Sequence, residues 1–133
     1  MNDNFKIGLA GFINITSNNK NIFSSYNEIK PTALEIITRC LSQTDLSKSL
    51  DKIKVSGDFG EFDREITFVE YNTLENSMKF RAFFYESDFD GTITKMELLC
   101  TALSKVFSSK DNISLTKDGQ TRIQIDWKIF VTN

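Results

Sequence analysis

The sequence predicts a mainly-β protein: an antiparallel β-sandwich with one amphipathic helix over about residues 31–43, in a single domain spanning 1–133. Two observations carry this prediction. In Thr121 to Val131, reading TRIQIDWKIFV, residues Ile123, Ile125, Trp127, Ile129 and Val131 alternate with Arg122, Gln124, Asp126 and Lys128, and Phe130 alone breaks the pattern. A period of two sustained this long belongs to a half-buried strand whose apolar row needs a second layer over it. Shorter alternating runs recur along the chain between clusters of turn-forming residues, as in a meander of antiparallel strands.

Taken in order, Lys6 to Thr16 is extended, with Ile7, Leu9, Gly11, Ile13 and Ile15 on one face. The polar run Ser17 to Asn21 is turn chemistry, and Ile22-Phe23 opens a returning strand, so the first element is a β-hairpin. Pro31 suits the first turn of a helix, where its missing N–H is not needed. The residues after it place Ala33, Leu34, Ile37, Cys40 and Leu41 on one stripe, opposite Glu35, Thr38, Arg39 and Ser42. Lys52 to Ser56 is a short strand ending at Gly57, and the acidic stretch GDFGEFD to Asp63 reads as a solvated turn. Glu65 to Tyr71 and Met78 to Glu86 are strands around a turn at 72–77, the second with Met78, Phe80, Ala82 and Phe84 on one face. Ser87 to Gly91 is a further turn. Between Ile93 and Phe107, Met96, Leu99, Cys100, Leu103 and Val106 recur at helical spacing, which predicts a second short helix near 95–107. Ile113 to Leu115 is a short strand, and a turn at 117–120 leads into the last one.

Composition narrows the function. The net charge is −2, from 16 basic and 18 acidic residues, which gives no concentrated basic surface for nucleic acid or an anionic membrane. The first residues lack the shape of a secretory leader, so the expected site of folding is a reducing cytoplasm. There is no histidine, which removes the commonest general base and metal ligand. Cys40 and Cys100 are isolated in sequence and read as buried free thiols rather than a metal pair. The carboxylates of Asp58, Glu61, Asp63 and Glu65 have neither the spacing of a calcium loop nor the fixed burial that acid–base catalysis needs. The expectation is a protein that is not an enzyme and uses no cofactor or metal.

The aromatic residues are more informative, since twelve of the 133 residues are phenylalanine. Phe83, Tyr85 and Phe130 fall opposite the expected core faces of their strands, and Phe59, Phe62 and Phe89 fall in expected turns. These six are the candidate interface residues, because aromatic side chains carry much of the energy of protein contacts. The alternative is that both sheet faces are covered within the chain.

In order, the motifs ALEIITRCL (33–41), KIKVSG (52–57), GTITKMELL (91–99), VFSS (106–109), ISLTK (113–117) and RIQIDWKIFV (122–131) resemble a small module of bacteriophage virion appendages. That module occurs in tail-fibre, baseplate-tip and head-fibre adaptor proteins; Ser109 departs from it where an arginine is usual. The resemblance implies a β-sandwich with one packed helix, and a strand over Thr92 to Leu99 followed by a loop. It also implies a structural role in the virion, assembled in the cytoplasm of an infected bacterium, with other virion proteins and copies of the same chain as partners. Without it, the residues are equally compatible with a soluble protein-binding or immunity-type module acting as a monomer.

Overall fold

The structure is a computed structural model and describes residues 8–42 and 49–132. Lys6 and Ile7, the start of the first expected strand, and residue 43, the end of the expected helix, lie outside these residues. The chain forms β1 (Gly8–Ser17), β2 (Lys20–Ile29), α1 (Ala33–Ser42), β3 (Lys52–Gly57), β4 (Gly60–Glu65), β5 (Phe68–Asn72) and β6 (Ser77–Phe84). It continues through β7 (Gly91–Cys100), β8 (Lys105–Lys110), β9 (Leu115–Lys117) and β10 (Ile123–Thr132). The fold is mainly β and antiparallel with one α-helix among the described residues, as the sequence predicts.

The strands form one curled antiparallel sheet, in the order β4-β3-β7-β8-β2-β1-β10-β6-β5 with β9 beside β7. The join is β2. It pairs with β1 over most of its length, then with β8 only at Glu28 and Ile29. The two halves therefore face each other around one core while remaining a single sheet.

β10 organises this core. It is paired on both sides, with β1 from Thr132 to Gln124 and with β6 from Phe130 to Ile123. Its apolar row Ile123, Ile125, Trp127 and Ile129 is buried, and Trp127 is wholly enclosed between its register partners Ile13 and Phe80. On the other face, Asp126 receives the Arg81 Nε at 2.7 Å and the Gln124 amide at 3.0 Å, so the polar row is also paired.

Local chemistry explains the connections. The β1–β2 turn places Asn18 and Asn19 at φ 52° and 62°, the pair of positive values that a two-residue hairpin requires and that asparagine tolerates. In the β3–β4 turn, Gly60 has φ 95°, and a Cβ on Gly57 would fall 1.9 Å from the Thr92 carbonyl oxygen. The acidic stretch is thus not a loose turn. Only Asp58 and Phe59 separate the strands; Asp58 accepts the Thr92 N–H at 2.8 Å, and Glu61 and Asp63 pair with Lys54 and Lys52 across β3. The sequence alternation of Phe62 and Arg64 with those acids is that of an edge strand.

Two sequence expectations are corrected. The stretch 95–107 holds no α-helix: β7 runs to Cys100, a single 3-10 turn covers Thr101–Leu103, and β8 follows. β7 pairs with β3, β8 and β9, and its register shifts against β3 at Ser56/Gly57 and against β8 at Leu98/Leu99, so its apolar residues depart from strict alternation and mimic a helical period. In α1 the buried stripe is Ala33 and Ile36, with Ile37 and Cys40 packed beside them, whereas Leu34 and Leu41 stand exposed. The helix packs against β8, anchored by the Thr32 hydroxyl on the Val106 carbonyl.

Lys117 is fully buried. Its ammonium donates to the carbonyls of Glu86 (3.1 Å), Phe89 (2.8 Å) and Asp118 (3.2 Å), holding the turn after β6 against β9. Truncation of the central indole measures what β10 contributes. Trp127→Ala is expected to lower the unfolding free energy by about 3–5 kcal/mol in urea denaturation, the range for large aromatic residues removed from a core. A loss below about 1 kcal/mol would mean that Trp127 is not enclosed.

Candidate functional site

The inward apolar row of the sheet extends beyond the layer that covers it. Toward β5, the inward residues Tyr71, Met78, Ile129, Val131 and Leu9 meet no second sheet; the opposite wall is α1, through Ile36, Ile37, Cys40 and Leu41. Between them lies a groove of about 480 Å³ lined almost entirely by carbon, with Phe107 and Phe80 toward the core and Phe130 at one end. Its size is that of a site for several side chains or a small molecule.

The surface beside the groove is also apolar. Of the eleven large apolar side chains exposed among the described residues, five (Phe68, Val69, Tyr71, Leu74 and Met78) fall in the single stretch 68–78. Leu74, at the tip of the β5–β6 turn, is 95% exposed, and Leu41 on the helix rim is 84% exposed. The turn itself is well formed: the Asn72 side chain accepts the N–H groups of Leu74 and Glu75, and Asn76 adopts φ 51°. A rigid turn that presents leucine to solvent differs from a loosely packed one. Contiguous exposed apolar surface of this kind marks contact sites.

The six aromatic residues singled out from the sequence do not form one surface. Phe89 is buried, Phe59 stacks on it at 4.1 Å, and Phe62 and Phe84 close the cluster at 6.1 and 5.9 Å from Phe89. Those three candidates therefore serve the core, because β4, which carries Phe62, and the turns that carry Phe59 and Phe89 pack over the end of the curled sheet. Phe83 and Tyr85 lie together on the outer face, ring centres 6.4 Å apart, with Arg64 and Arg122 over the Tyr85 ring. Phe130 alone of the six lines the groove. Val69, Tyr71, Leu74 and Met78 were not candidates from the sequence; for Val69 and Tyr71 the available signal is the strand FVEYN, with apolar residues on both faces.

The acids of the β3–β4 hairpin are engaged, Glu61 and Asp63 in ion pairs and Asp58 in a backbone hydrogen bond. Among the described residues no three acids or cysteines converge in a way that would hold a metal ion. Comparison with known proteins finds no family model, no curated protein and no solved structure that matches this chain.

One ion pair reports on the aromatic end of the molecule. The Asp88 side chain is 4% exposed, receives the Arg64 guanidinium through Nε at 2.9 Å and through Nη2, and accepts the Tyr85 N–H at 2.8 Å. Burial pushes its carboxyl up, but the Arg64 bonds, the Tyr85 N–H and the charges of Arg64 and Lys117 outweigh that and hold it below the ordinary aspartate value. A carboxyl depressed in the folded state stabilises the protein above its unfolded pKa of about 4, and the contribution is lost as pH falls through the folded value. The urea midpoint is expected to stay level from about pH 7 to 5 and to fall below about pH 4. Asp88→Asn is expected to flatten that fall; an unchanged acid slope in the variant would place the linkage elsewhere.

Proposed function

We propose that this chain is a non-catalytic assembly module, a small adaptor or fibre-base component of a bacteriophage virion. In this reading it docks neighbouring virion proteins, copies of itself among them, and engages neither nucleic acid nor membrane. The observation that carries the reading is the apolar groove between α1 and β5, β6 and β10, whose lining includes the exposed Tyr71, Met78 and Leu41. A carbon-lined groove with paired charges around it offers binding area and no reacting group, which suits assembly better than turnover. The resemblance of the ordered motifs to appendage modules supplies the biological setting.

The test uses particles purified from a bacterium that produces them. The chain is expected in those particles in fixed proportion to the tail or head proteins. A Tyr71→Lys, Leu74→Lys double variant is expected to be depleted from them at least about tenfold, with an unfolding free energy within about 0.5 kcal/mol of the parent, because both side chains are exposed. Absence of the unaltered chain from particles, together with a strictly monomeric mass in solution, would overturn the reading in favour of a monomeric protein-binding module.

A further inference from the structure

The two edges of the curled sheet are built differently. β4 alternates its residues with Glu61, Asp63, Arg64 and Glu65, the charged pattern that keeps a strand edge from pairing with another chain. β5, at the other end, reads FVEYN with no lysine, arginine or proline, and among the described residues it pairs only with β6. Its free backbone edge runs beside the apolar groove.

The register defines what would fit there. Val69 and Tyr71 point to the same side as Phe80 and Met78, the inward side, and are 48% and 59% exposed because nothing lies beyond them. Glu70 points to the outer side, paired with Lys79 at 3.5 Å on one flank only. We infer that the free edge of β5 accepts an extended segment of a partner chain as an added antiparallel strand, with apolar residues flanking a basic residue set opposite Glu70. The apolar residues cover Val69 and Tyr71 and reach the groove; the basic residue completes a Lys79–Glu70–cation row across three strands. A second copy fits less well, because the β5–β5 pairing that overlaps the whole strand in face sets Glu70 against its own counterpart, and like charges directly opposite are destabilising. The inference rests on the docking role of the groove and specifies its partner.

The experiment titrates the isotope-labelled full chain with the peptide acetyl-Ser-Thr-Val-Lys-Val-Thr-Ser-amide, and separately with the same peptide carrying glutamate for lysine. Expected are saturable amide shifts over residues 68–72 and at Met78, slowed hydrogen exchange in β5, and about five- to tenfold weaker binding of the glutamate peptide. Val69→Lys is expected to abolish both, with an unchanged unfolding midpoint. Equal affinity of the two peptides, no shift with either, or shifts in the groove with the β5 amides untouched would each overturn the added strand. A concentration-dependent dimer with β5 amides protected in the absence of peptide would assign the edge to a second copy instead. None of these results bears on whether the chain is found in particles, so the failure of this inference and the failure of the assembly role are separable.

Discussion

The structure depends on one strand paired on both sides. β10 carries an unbroken inward row, and its two central members have a buried neighbour on either flank: Ile125 between Ile15 and Ala82, Trp127 between Ile13 and Phe80. Ala82 lies beside Ile125, and Gly11 of β1 leaves room for the Asn27 side chain of β2, whose Oδ1 a Cβ there would approach to 2.3 Å. Both ladders run nearly the full length of the strand, so a one-residue slip would turn the indole and its neighbours to solvent and Asp126 inward. That penalty fixes the register of β1 and β6 together, and the rest of the sheet is laid down from them.

From this strand the sheet must curl to bury its own inner face, since the chain supplies only one described helix to cover it. The curl is made at β2, whose last residues leave β1 for β8. It brings Phe62, Phe84 and Phe89 together at one end and ties that end with Arg64–Asp88 and the buried Lys117. At the opposite end the second half of the sheet stops short, and α1 covers only part of the inward row. The groove and the unguarded β5 edge are thus two consequences of the same geometry: a core closed tightly at one end and left open at the other.

The sequence was most legible where a single period was long and one-sided. The alternation of β10, the Asn-Asn hairpin and the existence of α1 follow from it directly. It was least legible where the strand ladder is irregular. β7 is flanked on both edges and its register shifts against β3 and β8, so its Met96, Leu99 and Cys100, followed by Leu103 of the 3-10 turn, mimic a helix. In α1 the stripe was rotated by one position because Leu34 and Leu41 look like core residues by type alone, while Ile36 proved to be the buried one. The acids of β4 concealed a strand by charge. Nothing in the sequence marks Lys117 as buried, since its three carbonyl acceptors are set only by the fold. For the candidate site, Phe130 was visible as an aromatic out of phase, but Val69 and Tyr71 were hidden because they obey the inward pattern and only the missing layer exposes them.

Native-state hydrogen exchange, residue by residue, tests the account most directly. Amides of β10 that face β1 and β6 are expected to exchange only through global unfolding, while those of β5 on its unpaired edge exchange orders of magnitude faster. Uniform protection across β5 and β10, or exchange in β10 as fast as at the edge, would contradict a molecule closed around one central strand and open at its last.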